Sequence, residues 1–156
     1  MAQITFADGD VPTAAQLNTY ALGEGGAWTS WTPAVVQSGS VTVTNTRSRY
    51  ARYGRLIVFT VDLAVTGAGT AANAISVSLP ATAADANSVT GGTGYVTDDS
   101  TATIYPFQVF PFTTTTFRLK SSTTASGSGL LGVIDFTGGL TSGDLIRCTG
   151  QYEAAS

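Results

Sequence analysis

Arg55-Leu-Ile-Val-Phe-Thr-Val-Asp-Leu-Ala-Val-Thr66 is the stretch from which the rest of the chain is read. Ile57, Phe59, Val61, Leu63 and Val65 fall on one side of an extended backbone, and Thr60 and Asp62 on the other. Successive strand side chains point to opposite faces, so this period of two is a strand with one face buried. Upstream, Val41-Thr-Val43-Thr and Arg47 to Tyr53 read as two more strands, with Tyr53-Gly54-Arg55 a tight bend or bulge before the long one. Downstream, Ala74 to Leu79 ends at Pro80, which has no amide hydrogen for a ladder. Gly94 to Thr97, Ala102 to Phe110, Thr114 to Lys120, Leu130 to Phe136 and Asp144 to Tyr152 continue the series. Asp98-Asp99-Ser100, the Ser121 to Gly129 loop and Gly138-Gly139 separate them, and no helical period follows residue 21. About eight or nine short strands with turn signals at roughly 8–12-residue spacing define an all-β fold, expected to be an antiparallel β-sandwich or jelly roll.

The opening residues read differently. Phe6-Ala-Asp-Gly-Asp-Val-Pro-Thr-Ala-Ala-Gln-Leu-Asn18 joins a turn signal to Pro12 at a helix start and to Thr13 and Gln16 at capping-box spacing. A helix of about two turns is expected there, with Ala14, Leu17 and Ala21 on one face. Nucleation is costly and this stripe is small, so the helix needs a surface to lie on. Leu22-Gly-Glu-Gly-Gly-Ala27 then breaks it. The chain divides into an attachment arm, residues 1–27, and a β head, residues 28–156, beginning at Trp28.

Three pieces of this sequence carry a resemblance: the Phe6-x-x-Gly-Asp-Val-Pro-Thr-Ala-Ala-x-Leu-Asn18 motif with Trp28-x-x-Trp31-Thr-Pro33; Tyr53-Gly-Arg-Leu-Ile-Val-Phe59; and Ile75-Ser-Val-Ser-Leu-Pro80. Together they resemble small virion surface proteins of tailed bacteriophages, that is, minor tail or short tail-fibre proteins and head-decoration proteins, particularly of phages of Gram-positive actinobacteria. The likeness covers roughly the first half of the chain, and the second half matches only in composition. It implies a particle component whose opening motif sits at the junction with the particle and whose β domain lies outside, usually as a homotrimer. Phe6, Val11, Leu17, Trp28 and Trp31 are then the expected virion-docking residues. Long tail fibres also have an extended shaft, which this sequence lacks, so the resemblance leans toward capsid decoration or a short head fibre over a tail tip.

Composition limits the alternatives. A 156-residue chain is one domain's worth, long enough for a real core yet short enough that oligomerisation helps it. Only 11 % of residues are charged while 43 % are hydrophobic, the reverse of a disordered composition. With a net charge of −3 and a pI near 4.5, the chain has no long-range attraction for nucleic acid or an anionic membrane surface, and neither is an expected partner. Residues 1–20 lack the basic and apolar regions of a signal peptide, which fits a protein made in the host cytoplasm and released in the virion. Cys148 is the single cysteine, so no internal disulfide forms, and its alternating context makes it a small buried hydrophobe.

The chain has no histidine, which removes the commonest general base and metal ligand together with every Ser-His-Asp or Cys-His arrangement. Glycosidic cleavage needs only two flanking carboxylates, but Asp98 and Asp99 sit in a turn, and Asp62, Asp135 and Glu153 each stand alone in strands. Asp8-Gly9-Asp10 offers too few ligands for calcium, and the Gly-Gly pairs precede no helix or Lys-Ser/Thr. No catalytic, cofactor-binding or metal residue is assigned, and the chain is not expected to be an enzyme.

Two clusters remain as binding candidates. Arg47, Arg49, Arg52 and Arg55 interleave with Tyr50 and Tyr53; without a bulge, Arg47, Arg49 and Tyr53 share one strand face, while Tyr50 and Arg52 share the other. In an acidic chain a subunit or capsid interface, with an Arg-carboxylate pair across it, is the better reading for Arg47, Arg49 and Arg52 than single-stranded nucleic acid. Tyr105-Pro-Phe-Gln-Val-Phe-Pro-Phe112 places Tyr105, Phe107 and Val109 on a core face. Phe110 and Phe112, around Pro111, are expected at an irregular edge that a neighbouring subunit covers. The competing reading is a receptor-binding head whose aromatics stack on host cell-wall carbohydrate.

Overall fold

The computed structural model describes residue 13 and residues 27–86, 89–122, 129–133, 136 and 138–155. The expected helix falls outside the described residues apart from Thr13, and so does nearly all of the arm. The strands are β1 (Thr29–Ser30), β2 (Val35–Gln37), β3 (Gly39–Val41), β4 (Val43–Asn45), β5 (Arg49–Tyr53), β6 (Leu56–Val65), β7 (Ser76–Ser78), β8 (Val89–Asp98), β9 (Thr103–Pro111), β10 (Thr116–Ser121) and β11 (Leu145–Glu153). Every pairing among them is antiparallel.

The founding stretch behaves as its alternation requires. Ile57, Phe59, Val61, Leu63 and Val65 are buried along β6, with the intervening residues part-exposed. Gly54, at φ 61°, takes the first place of the two-residue link between β5 and β6, where a tight hairpin turn demands glycine. At the next long hairpin the Asp98 carboxylate accepts hydrogen bonds from the backbone amides of Ser100 (2.9 Å) and Thr101 (3.3 Å) and from the Ser100 hydroxyl (2.6 Å). The Ser100 hydroxyl above all holds that carboxyl below its ordinary value, and the turn fixes the β8–β9 register from Asp98 opposite Thr103.

All eleven strands join one sheet, in the order β1-β5-β6-β11-β8-β9-β10-β7-β2-β3, with β4 also paired to β6. The hydrogen bonding is unbroken, so the fold is a curled antiparallel sheet, a half-barrel, where the sequence led us to expect two layers. Phe59 on β6 and Phe117 on β10 have β11, β8 and β9 between them, yet their ring centroids are 5.6 Å apart. On a flat sheet those strands would be about 19 Å apart, so the curl brings one face of the sheet onto itself. Only Thr42 separates β3 from β4, and β4 pairs with β6, so this stretch carries the far edge back to the middle of the sheet.

Phe59, Phe107, Phe117 and Tyr152 fill the curl with Ile57, Leu63, Leu119, Leu131, Leu140 and Ile146. Cys148 is buried there as the sequence led us to expect, and burial pushes its thiol far above the ordinary value. Gln37 is fully buried too, but satisfied: its Nε2 donates to Asn73 O at 3.0 Å, and its Oε1 accepts from Leu140 N at 2.8 Å. It ties β2 to the loops before β7 and β11.

One expectation is corrected over the described residues Leu130 to Val133, which are not a strand: Leu130 makes one bridge to Lys120, the Val133 amide donates back to Leu130 O at 3.1 Å, and Gly132 at φ 94° turns the chain away. Phe110 pairs with Arg118 of β10 and lies beyond the β8–β9 register, which ends at Gln108 opposite Thr93.

Candidate functional site

Outward-facing positions of β5, β6, β11 and β8 form a groove of about 420 Å³ across the convex face of the sheet. Strand register builds it in two rows. In the first, Arg49 lies opposite Thr60, Thr60 opposite Thr149, and Thr149 opposite Thr93. In the second, Asp62 lies opposite Arg147, which lies opposite Tyr95. Directly opposed residues in an antiparallel sheet share a face, so period two on four separate strands delivers these side chains to one surface. Arg47, in the turn before β5, closes one end.

The polar contacts are specific. Arg147 Nε donates to Asp62 Oδ1 at 3.0 Å, and Nη1 reaches the Tyr95 hydroxyl at 3.4 Å. Those bonds, to Tyr95 and then to Asp62, raise the Arg147 guanidinium above its already high ordinary value, so it is a permanent cation. The Arg49 guanidinium lies 4.6 Å from the centre of the Trp28 ring, stacked on an aromatic face that the chain presents just before β1. Its Nε is shielded from solvent and has no hydrogen-bond acceptor among the described residues. Arg47 and Arg49 have no carboxylate partner among the described residues.

The structure disperses the residues singled out from sequence. Arg47 and Arg49 come together in the groove with Trp28 at its flank. Arg52 stands apart, exposed, with its Nε bonded to Gly54 O at 2.8 Å. Trp31 turns inward and packs edge-on against Phe59 at 6.4 Å, while Asn45 Nδ2 donates to its carbonyl at 2.8 Å. Phe6, Val11 and Leu17 lie outside the described residues.

Phe110 and Phe112 are each 43 % exposed, the first 5.5 Å from Lys120 Nζ and the second 3.3 Å beneath the Arg118 guanidinium. Tyr105 packs on Phe136 at 5.2 Å, and Phe107 and Val109 are core, as their alternation required.

Sequence reasoning missed Asp62, Tyr95 and Arg147 as a unit. Asp62 pairs with Arg147 and Glu153 with Arg55, each at 3.0 Å. Asp135 lies outside the described residues. The one signal that pointed to the Asp62 pairing was its outward phase on β6 opposite an outward Arg147, legible only once the two strands are known to be neighbours. No group of three or more Asp, Glu or Cys residues gathers to hold a metal among the described residues.

Fold and groove together define an all-β domain with a cationic, hydroxyl-lined face. No protein-family model, curated protein or solved structure matches the chain.

Proposed function

We propose that this chain is a structural protein of a bacteriophage virion, a small surface appendage docked by its N-terminal arm and assembled as a homotrimer, serving as capsid decoration or a short head fibre. The observation that carries the reading is the opening motif, Phe6 to Asn18, set ahead of Trp28-x-x-Trp31-Thr-Pro33 and a wholly β head. Docking draws on Phe6, Val11 and Leu17, each large apolar side chain stabilising the contact by about 1.5–3 kcal/mol if fully buried. Trp31, packed on Phe59, anchors the junction to the head. Three arms acting together multiply the gain through effective concentration. Arg52, Phe110 and Phe112 are the proposed contacts between copies or with capsid or tail proteins. In this reading the two walls of the curl, β5-β6-β11-β8 and β9-β10-β7-β2, are the layers of a sandwich-like or jelly-roll-like head.

A second reading, a tail-tip or tail-fibre receptor-binding protein for host cell-wall carbohydrate, is favoured by one observation, the polar groove on the outer face. Solution mass and binding of the full chain and its Val11→Asp/Leu17→Asp variant to empty capsids, to tails and to wall fragments separate the two. A trimer that coats capsids and is released by the double substitution supports decoration. Wall binding that survives the double substitution, with capsids ignored, replaces it with receptor binding.

A further inference from the structure

We infer that the outer-face groove is a binding site for an anionic saccharide, a sugar unit bearing a carboxylate or a phosphate. The inference goes beyond attachment to a particle, because it rests on the groove alone.

Charge comes first. Arg47, Arg49 and Arg147 face a single carboxylate, Asp62, which is bonded to Arg147. Two guanidinium groups are therefore uncompensated in one concavity, on a chain whose net charge is −3. The attraction is local, which suits one fixed anion and not a polyanion gathered by a long-range field. Arg49 is already positioned by its stacking on Trp28, and a planar fork so held matches the two oxygens of a carboxylate or phosphate.

Hydroxyl chemistry comes second. Beside the cations lie Thr60, Thr149 and Thr93 in a row, and the side chains of Thr93 and Thr149 make no hydrogen bond among the described residues. Each hydroxyl donates and accepts, which is what a ring of vicinal hydroxyls requires of its partner. Trp28, 45 % exposed at the flank, adds an apolar face for sugar C–H groups. The volume of about 420 Å³ lies within the range of small-molecule sites, about 300–1,000 Å³. A carboxylate side chain from a second copy would meet the arginines but leave the hydroxyl row unused, so a saccharide accounts for more of the surface.

The test titrates the full chain with three probes, a glucuronic acid disaccharide, glucose 6-phosphate and maltose, followed by calorimetry and by Trp fluorescence. One or both acidic probes are expected to bind at least about tenfold more tightly than maltose, and more weakly as salt rises, because a hydrogen bond to a charged group is stronger than one to a neutral group. Which acidic probe binds identifies the anion. Arg49→Gln and Arg47→Gln should each weaken binding about tenfold, while Arg118→Gln, outside the groove, leaves it unchanged. Thr149→Asp, at an exposed position, places a repelling charge in the row and carries the test if Arg49→Gln fails to fold. Equal affinity for maltose, indifference to all three groove substitutions, or no binding by any probe overturns the proposal. So does self-association that depends on Arg49 without sugar binding, which assigns the groove to a subunit contact.

Discussion

Tyr152 buries its whole ring yet keeps its hydroxyl bonded in both directions, donating to Ala81 O at 2.7 Å and accepting from Ala81 N at 3.0 Å. Burial pushes its ionisation up to about 12, because the phenolate would be taken out of water. Since the folded value lies above the unfolded one, near 10, the stabilisation is fully present below pH 10 or so. It is lost as pH rises toward about 12, where the unfolded chain releases the proton first, a loss on the order of 2 kcal/mol. Tyr152→Phe should cost about 1–3 kcal/mol at neutral pH, since both Ala81 backbone groups lose a partner, and should flatten the alkaline fall in stability. Denaturant midpoints of the two proteins at pH 8 and pH 11 read both effects. An unchanged alkaline slope in the variant assigns that slope to other groups.

Among the elements, β11 depends on a missing side chain. Gly150 faces Phe59 across the β6–β11 ladder, and a Cβ there would lie 2.6 Å from Phe59 Cζ and 2.9 Å from Cε1. The ring cannot yield, held as it is by Phe117 at 5.6 Å and Tyr152 at 6.0 Å. Gly150→Ala should therefore destabilise the protein by about 1–3 kcal/mol or more through overpacking, whereas Gly138→Ala, which meets open space, should be close to neutral. Thermal unfolding of the pair checks the contrast. The same glycine shows why strands were unequally legible. In β6 every inward position is Ile, Phe, Val or Leu, and the period of two was plain. In β8 the inward positions include Gly92 and Gly94, which sit under Val109 and Phe107 and carry no hydropathy signal of their own, so only Gly94 to Thr97 was read of a ten-residue strand. The three-residue β2 is too short to display any period, and the apolar pattern that begins at Leu130 runs into a turn at Gly132.

Across the whole molecule, chain order and sheet order part company. β11, last in sequence, lies in the sheet between β6 and β8, with nine residue pairs to β6, from Leu145 opposite Ala64 to Glu153 opposite Leu56. The groove inherits this: Asp62 and Arg147 are 85 residues apart in sequence, and Tyr95 and Arg147 are 52 apart. A local reading finds Arg47 and Arg49, which are close neighbours in sequence, and cannot find the three residues that long-range pairing adds. The energetic consequence is equally non-local. Without β11, the adjoining edges of β6 and β8 have no partner, the Phe59, Tyr152 and Ile146 contacts go, and the curl loses its middle. Non-local pairings must be closed before they stabilise anything, so folding should be slow, on the order of milliseconds to seconds, and should await the last strand. A chain ending at Gly143 is expected to show no cooperative unfolding transition and no slowly exchanging amides, although it keeps ten of the eleven strands. In the full chain, hydrogen exchange should be slowest in β6, β11 and β8, each flanked on both sides, and fastest at β1 and β3, the ends of the path. If the shortened chain instead unfolds cooperatively with protected amides in β6, the sheet does not depend on its central strand, and the order of pairing argued from the topology fails.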